Sequence, residues 1–294
     1  MKYLFDTRPL ILLYHRIADL DADPWGLAVR PRDFERHLRT LLAFFEIVPL
    51  SSLTTGDGVR RTIRRRLAIT FDDGYLDNYA VAWPLLARHG VPATFFISSS
   101  NIQSGQEFWW DTVQRVFRVT AGQPSSTPGN RAFLAEWGRL RDASPIERDE
   151  ALRALCQQAG IDIQAPAENR PMTVDQLRSM SQSPLVEIGA HTVSHRRLAT
   201  ASPEHQRDEI SGCKSVLEGI CDAPVTSFSY PFGGPDDYSG TTIDIVRMSG
   251  FTRACTARAT PSWPDCGDLE IPRCFVPPGG ARRLLGAIRR YGMA

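Results

Sequence analysis

Two adjacent carboxylates at the end of an apolar run are the first residues of this chain that could do chemistry. Residues 67–71 suit a buried strand, and Asp72, Asp73 and Gly74 follow directly. Neighbouring side chains of a strand point to opposite faces, and a glycine allows a sharp turn after them. One carboxylate could therefore bind a metal ion while the other moves a proton. The alternative is an ordinary turn, because aspartate and glycine are common turn residues.

Two histidines four residues apart follow a second short apolar run. His191 and His195 come after residues 187–190, and the chain has only six histidines in all. On a helical turn this spacing places both imidazoles on one face, where they can offer two nitrogen atoms to zinc. One aspartate with two histidines forms an open three-ligand site with room for water, the arrangement that catalytic metals use.

These two segments resemble the motifs of the polysaccharide deacetylase family, carbohydrate esterase family 4, whose members remove N-acetyl or O-acetyl groups from glycans. The family's first motif, Thr-Phe-Asp-Asp-Gly, is matched by residues 70–74. Its second motif, His-Ser/Thr-x-x-His, is matched by residues 191–195. The resemblance extends from about residue 10 to about residue 277, with an insertion in the middle.

The resemblance implies a metal-dependent hydrolase. Asp73, His191 and His195 match the positions that bind the metal ion, and Asp72 matches the general base. A divalent ion lowers the pKa of a bound water toward about 7 and polarises a carbonyl group. We expect Zn²⁺, although Co²⁺, Ni²⁺ or Fe²⁺ would also bind one aspartate and two histidines.

The group that protonates the departing amine is expected at an unusual place in the chain. Family members use a histidine late in the sequence, but here no histidine follows His205. The segment Leu-Leu-Tyr-His stands at residues 12–15 instead. This resembles the permuted order of some bacterial exopolysaccharide deacetylases. His15 is therefore the predicted general acid, and a purely structural histidine is the alternative.

The third family motif, Arg-x-Pro-Tyr, is only partly matched. The corresponding residues here are Ser229, Tyr230, Pro231 and Phe232. The retained aromatic frame predicts a groove wall, with the backbone N–H of Phe232 directed at the oxyanion of the reaction. The arginine that orients the catalytic aspartate in other members is missing, and Arg273 is the predicted replacement. Residues 263–265, Trp-Pro-Asp, are the candidate for the fourth motif, which supports the acid histidine.

Strands that alternate with helices along the chain imply a parallel sheet with right-handed crossovers. About seven such units fit an α/β barrel, and the resemblance implies a distorted (β/α)7 barrel. We expect residues 1–294 to form a single catalytic domain of this kind. Active sites of such barrels lie at the C-terminal ends of the strands, where Asp72, Asp73, His191 and His15 are predicted to stand.

A helical insertion is predicted over about residues 99–171, between the two metal-binding motifs, where it would cover the mouth of the site. Trp109 and Trp110 in this insertion could stack on sugar rings. Because adjacent helical residues do not share a face, one of the two is expected in the core. His37 lies on the polar side of a helix that is predicted to begin at Pro31, and it is expected to be exposed.

Composition indicates an ordinary soluble globule, with 42% hydrophobic and 23% charged residues. A net charge of +1 gives no support for nucleic-acid binding. The six cysteines form no Cys-x2-Cys pair and are predicted to be reduced. With no signal peptide and no apolar run of about 18 residues, we expect a cytoplasmic protein without a transmembrane segment. The basic runs at residues 60–66 and 282–290 indicate a solvated face, or contact with a phosphate group or membrane surface.

Three functions remain open from the sequence. The leading one is a metal-dependent N-deacetylase of an acetamido sugar in a glycan, a lipid-linked intermediate or a nucleotide sugar. The second is hydrolysis of another amide, such as a small cyclic amide or imide, or removal of another acyl group. The third is a glycan-binding module without activity, which would be expected to lack a metal ligand or the base. The oligomeric state is left open.

Overall fold

The computed structural model describes residues 8–53, 64–120, 131–164, 166–258 and 267–291 of the chain. Its centre is one curled sheet in which eight strands, counted over those ranges, pair in parallel. The strands are β1 (Leu10–Tyr14), β2 (Phe45–Ile47), β3 (Arg65–Phe71), β4 (Ala93–Ile97), β5 (Val186–Ala190), β6 (Ser227–Ser229), β7 (Arg253–Cys255) and β8 (Cys274–Phe275). The predicted α/β fold with a parallel sheet is confirmed.

Side chains of the long strands alternate between the two faces of the sheet. Tyr14 and Phe71 pack outward into the main core, between the sheet and the helices around it. Ile11 and Ala68 point the other way, into a smaller core inside the curl. Because every second side chain of a strand points to the same face, inward-pointing positions recur up to the C-terminal ends of β1 and β3. His15, after β1, and Asp72, after β3, continue these inward-pointing positions.

The sheet is closed by the segment 271–275. The strands follow the order β7-β6-β5-β4-β3-β1-β8, with β2 beside the first residues of β3. Ile271 pairs with Cys255 of β7, and three residues later β8 pairs with β1, so this segment joins the two edges. The sheet therefore forms the distorted barrel that the sequence predicts. Arg273 lies within the closing segment, buried, with its guanidinium 5.4 Å from the ring centroid of Phe96 in the inner core.

Amphipathic helices cover the outside of the curl because each buries an apolar face against the strands. Phe34, Leu38 and Leu41 supply that face in the first of them, at the predicted helical spacing. The outer helices are α1 (Pro31–Phe44), α2 (Trp83–Arg88, preceded by a π-helical segment, Asn78–Ala82), α7 (Val174–Ser181), α8 (Pro203–Cys221), α9 (Gly240–Met248) and α10 (Ala281–Tyr291).

His37 on α1 is buried, and the prediction that it is exposed is wrong. Its Nδ1 lies 3.2 Å from the Tyr14 hydroxyl, and its Nε2 lies 2.8 Å from the Gly279 carbonyl oxygen. The side of α1 that the local pattern marks as polar is covered by α10 and the chain that leads into it. A contact between residues 242 positions apart leaves no signal in a local pattern.

Four α-helices are described in the segment predicted to be a helical insertion, about residues 99–171. They are α3 (Ser99–Ser104), α4 (Trp109–Thr120), α5 (Arg131–Asp142) and α6 (Pro145–Ala159). The last begins with a capping box, in which Ser144 and Glu147 bond to each other's backbone N–H groups. Aromatic residues of α4 and α5 form a separate small core with Tyr75, which follows the Asp-Asp pair. This core holds the insertion against the C-terminal end of β3.

The described cysteines, Cys156, Cys213, Cys221, Cys255 and Cys274, are all buried and unpaired. Cys266 lies outside the described residues, and the reduced state of the thiols stays a prediction. Among the described helices, none has both the length and the apolar character needed to cross a bilayer.

Candidate metal centre and active site

The Asp-Asp pair stands where β3 ends and the chain reverses. The Asp72 N–H donates to the Tyr14 carbonyl, and the Ser98 N–H donates to the Asp73 carbonyl, so neighbouring strands fix both residues. Asp73 has a φ of 80° and Gly74 a φ of 95°. A left-handed conformation is costly for an aspartate and persists only where the surrounding structure imposes it, which is common at functional sites. It directs both carboxylates into the same cavity.

The two histidines meet through a loop rather than a helical turn. Residues 191–195 have no helical structure, so the helical spacing that we used to predict their pairing does not apply here. Instead, Thr192 and His195 take left-handed φ angles of 64° and 51°. The imidazole ring centroids of His191 and His195 lie 4.8 Å apart in a T-shaped arrangement. The structure thus brings the predicted pair together, but through a loop and not through the helical turn that the spacing suggests.

Asp73, His191 and His195 form a compact buried cluster. The Asp73 Oδ1 atom lies 3.6 Å from Nε2 of His191 and 3.5 Å from Nε2 of His195. One ligand atom from each residue lies within 4.8 Å of the other two. His191 Nδ1 lies 2.7 Å from the Ser229 carbonyl oxygen, so Nδ1 carries the hydrogen and Nε2 keeps a free lone pair. Asp73 Oδ1 is buried without a hydrogen-bond partner.

The electrostatics of this cluster fit a divalent cation. Burial lowers the pKa of His191 and the pKa of His195, so both imidazoles are in the neutral form that binds metals. Burial, together with the negative charges of Asp72 and Asp111, raises the pKa of Asp73 well above its ordinary value. A buried carboxylate oxygen without a partner is costly, and a cation held between it and two neutral imidazoles would remove that cost.

Asp72 differs from Asp73 because it has a fixed positive partner. Arg273 donates from Nη1 to Asp72 Oδ1 and from Nη2 to Oδ2, each over 2.7 Å. The Ser229 hydroxyl accepts from the same Nη2 over 2.7 Å and lies 3.2 Å from Asp72 Oδ2. Burial alone would raise the pKa of Asp72, but the charge and hydrogen bonds of Arg273 outweigh it and hold that pKa far below its ordinary value. Asp72 is therefore ionised.

His15 lies in the same cavity as Asp72. Asn78 donates to the His15 backbone carbonyl over 2.8 Å, which fixes the chain just after β1. The ring centroid of His15 is 6.0 Å from that of Phe275 on β8. Burial lowers the pKa of His15 to about 4, against the opposing effect of the Asp72 carboxylate. The imidazole is therefore neutral near pH 7.

These groups share one cavity of about 330 Å³. His15, Asp72, Asp73, His191, His195 and Arg273 line its polar part. Aromatic side chains, among them Trp25, Trp137 and Phe232, line much of the rest. The arrangement combines three residues that could hold a metal ion, an ionised carboxylate and a neutral imidazole with a largely apolar lining, which suits hydrolysis of an uncharged group such as an amide.

Comparison with known proteins shows which family this chain belongs to. The sequence profile described as polysaccharide deacetylase matches residues 60–123 and 146–254, which is more than half of the chain. The chain belongs to the polysaccharide deacetylase family. Members of this family are hydrolases that remove N-acetyl groups, and this chain is an enzyme of that class.

Individual relatives of the enzyme are distant in sequence. YxkH of Bacillus subtilis, named provisionally as a polysaccharide deacetylase, is 23% identical over 94% of this chain and 74% of its own length. The structure is similar to deacetylase PplD of Streptococcus pyogenes in complex with acetate, with a TM-score of 0.63, 19% identity and coverage of 95% and 96% of the two chains. A de-N-acetylase from Aggregatibacter actinomycetemcomitans gives a TM-score of 0.63 and 19% identity over 96% and 99%. At these identities the two structures support the fold alone.

The two tryptophans of the insertion have different surroundings in this deacetylase. Trp110 lines the cavity, its ring centroid is 4.5 Å from that of His195, and its indole N–H donates to the Tyr75 hydroxyl. Trp109 does not line the cavity; it packs behind Trp137 with 5.6 Å between ring centroids. Both are only 5% exposed. Of the two predicted sugar contacts, only Trp110 lines the cavity that contains the Asp-Asp pair.

The residues of the partly matched third motif also differ in their surroundings. The Tyr230 ring stacks on Tyr238, and its hydroxyl donates to the Leu269 carbonyl, so this side chain is held in place in the cavity lining. The Pro231 carbonyl accepts from the Gly233 N–H. Phe232 has a φ of 61° and lines the cavity beside His195, with 4.8 Å between their ring centroids. The role of the Phe232 N–H toward an oxyanion stays a prediction.

Trp25 and Trp137 line the cavity of the enzyme and were not predicted as site residues. Trp25 lies in the Pro- and Gly-containing loop that follows β1, and Trp137 lies on α5. A large aromatic residue in a loop after a barrel strand was the available signal for Trp25. No local signal marks Trp137, whose place depends on how α5 packs. The candidate fourth motif at residues 263–265 falls outside the described residues.

Proposed function

We propose that this enzyme is a metal-dependent N-deacetylase of an acetamido sugar. The observation that carries the proposal is the buried cluster of Asp73, His191 and His195 beside an ionised Asp72 that Arg273 holds in place. PplD, which shares the fold, is described in complex with acetate, the product expected here. Family membership supports the reaction class, and the cavity supplies the groups that the reaction needs.

In this proposal, Asp73, His191 and His195 hold a divalent cation, with Zn²⁺ as the first candidate. When bound, such an ion polarises the acetyl carbonyl and makes water a better nucleophile. The remaining steps belong to the chain's own residues. Asp72 accepts a proton as the water oxygen bonds to the carbonyl carbon. The bidentate contact with Arg273 keeps the carboxylate aimed at that point, which limits misalignment of the base.

The leaving nitrogen needs a proton when the C–N bond breaks. His15 is neutral at rest and lines the same cavity as Asp72, so it can receive the proton that Asp72 took from the water. Transfer of that proton from His15 to the nitrogen releases the free amine and leaves acetic acid, which then gives up its remaining proton and departs as acetate. The cycle then needs no proton from bulk solvent, because the attacking water supplies both the new C–O bond and the proton on nitrogen.

The test of this function is acetate release by purified enzyme from acetamido sugars and their oligomers. We expect one acetate and one free amine per event, loss of activity on treatment with a chelator, and recovery when Zn²⁺ is added back. An active enzyme that is indifferent to chelation would refute the metal dependence. Failure to release acetate from any member of a broad panel of acetamido sugars would refute the substrate class.

The small, largely apolar cavity favours a second candidate substrate, a small cyclic amide or imide. Ring opening of such a compound yields no acetate, so the same assay combined with mass measurement of the products separates the two functions. The cytoplasmic location, the choice of Zn²⁺ and the contact with a membrane surface stay predictions of the sequence analysis.

A further inference from the structure

We propose that the enzyme removes the acetyl group from a terminal acetamido sugar and does not act on residues inside a polymer. This inference rests on the proposed function and deepens it. It follows from a wall of three aromatic residues, Trp25, Trp137 and Phe232, which we call the aromatic wall. These three side chains line part of the cavity and contact one another, so a continuing sugar chain cannot pass between them.

The side chains of the aromatic wall are in direct contact. The ring centroids of Trp25 and Trp137 lie 4.9 Å apart, and those of Trp137 and Phe232 lie 5.9 Å apart. Aromatic rings at such separations touch, so no sugar ring can pass between them. All three residues line the cavity that holds Asp72 and the metal-binding cluster. A substrate bound at that cluster therefore meets a closed surface at the aromatic wall.

The aromatic wall is supported from behind. Arg141 places its guanidinium carbon 5.6 Å from the Trp137 ring centroid and 5.1 Å from that of Phe232. Asp237 accepts hydrogen bonds from Arg141 over 2.7 Å and from Arg197 over 2.9 Å, which fixes the guanidinium. Because a buttressed side chain loses rotamer freedom before a ligand arrives, the wall is a preformed part of the site.

The aromatic wall bridges two separate parts of the chain. Trp25 comes from the loop after β1, where the Asp23 carboxylate accepts from the N–H groups of Leu27 and Ala28 over 2.9 Å each. Trp137 comes from α5, in the helices between β4 and β5. Since β1 and β4 flank β3, the contact between the two tryptophans spans the C-terminal end of the strand that carries the Asp-Asp pair.

One lining residue marks where the cavity meets solvent. Phe275 on β8 is 37% exposed, which makes it the most exposed residue of the lining. A cavity of about 330 Å³ is at the small end of ligand pockets, which favours one sugar residue with its acetamido group. A glycan can therefore extend from the bound sugar past Phe275 but cannot extend through the aromatic wall. Only a sugar at a chain end meets both conditions.

The experiment maps which residue of an oligomer loses its acetyl group. The probes are β-linked oligomers of N-acetylglucosamine and of N-acetylgalactosamine, one to five residues long and labelled at the reducing end. Fragmentation mass spectrometry locates each free amine. We expect wild-type enzyme to deacetylate one end residue only, with at least tenfold preference over internal residues. Deacetylation of internal residues at a comparable rate would overturn the inference while leaving the proposed function in place.

Matched variants test whether the aromatic wall is the cause. Trp137→Ala should open the wall and add deacetylation of internal residues, whereas Trp137→Phe should keep the end preference. Unchanged end preference in a folded Trp137→Ala enzyme, checked by circular dichroism, would overturn the assignment to the wall.

Binding supplies a readout that does not need turnover. Calorimetric titration of Asp72→Asn with the same probes should give affinities for the single sugar and for the five-residue oligomer within about threefold of each other. The reason is that only one sugar residue of the probe contacts the protein. An increase of tenfold or more with chain length, or no binding by any probe, would overturn the inference. Equal binding of all lengths with no acetate release by wild-type enzyme would instead refute the proposed function and leave the single-residue pocket standing.

Discussion

The Arg273 guanidinium binds both oxygens of the Asp72 carboxylate, over 2.7 Å each, across 201 residues of sequence. Arg273 lies in the segment that closes the barrel, between the pairing of Ile271 with β7 and that of β8 with β1. The closure of the sheet and the orientation of the proposed base therefore depend on the same few residues. Arg273, in the segment that leads into β8, makes the contact with Asp72 that the sequence analysis expects of a replacement for the arginine missing from the third motif.

Replacement of Arg273 by lysine should impair catalysis without releasing a bound metal. A single ammonium group cannot reproduce two parallel hydrogen bonds to one carboxylate. We expect kcat to fall about 100-fold, as for a base displaced by about 1 Å, with metal content unchanged. Arg273→Met should also lower the free energy of unfolding by about 3–5 kcal/mol, because Asp72 would be left buried and unpaired. Arg36→Lys, on the exposed face of α1, is the control, and a wild-type kcat in Arg273→Lys would contradict the role.

Replacement of Asp72 by asparagine should separate chemistry from metal binding. The amide keeps the shape of the side chain but cannot accept the proton of the attacking water. We expect kcat to fall by about 10²–10⁴-fold, the contribution typical of a general base, while metal content stays near the wild-type value. Steady-state acetate release and elemental analysis measure the two effects. The control is Asp175→Asn, whose side chain is 91% exposed. A variant with wild-type turnover would show that another group is the base.

Replacement of His15 by glutamine should lower kcat with little effect on KM. The imidazole acts when the nitrogen departs, so its loss is felt in the transition state more than in substrate binding. The expected decrease in kcat is about 10²–10⁴-fold for an N-acetyl substrate. His205→Gln, at an exposed position of α8, serves as the control. Full activity of His15→Gln would mean that the leaving nitrogen takes its proton from elsewhere.

The buried His37 should make the fold sensitive to acid. Burial lowers the pKa of His37, and this outweighs the hydrogen bonds to the backbone of Gly279 and Gly280, which act in the opposite direction. Below the ordinary pKa of about 6.5, the unfolded chain takes up a proton at this histidine that the folded chain resists. The free energy of unfolding should therefore decrease as pH falls through that value. The decrease should be smaller in His37→Gln, which lacks the titrating imidazole. Urea unfolding at about pH 7.5 and pH 5.5 measures the free energy of unfolding of each protein at both pH values. An equal loss of stability between the two pH values in wild type and in His37→Gln would contradict this account.

Much of the fold and part of the site could be predicted because their signals are local. The apolar runs of β1 and β3 and the spacing of Phe34, Leu38 and Leu41 on α1 are visible in short windows of sequence. The alternation of side chains along β3 likewise predicts that Asp72 points into the barrel, and this prediction needs no information about distant residues.

The rest depends on contacts that no local pattern carries. His37 is buried because α10 covers α1, and the aromatic wall exists because a loop after β1 meets α5. The pair of histidines forms in a loop whose left-handed residues, Thr192 and His195, are not recognisable from residue type. Arg273 was a candidate from the sequence, but its bidentate contact with Asp72 is set only by closure of the barrel.

The central claim is that one cation joins Asp73, His191 and His195, and crystals of active enzyme test it most directly through anomalous diffraction at the zinc edge. We predict a single strong peak about 2.0–2.2 Å from an Asp73 carboxylate oxygen and from Nε2 of each histidine, and its loss in His191→Ala. Crystals of active enzyme that show no ion between these three side chains, or whose ion is bound elsewhere, would contradict the account.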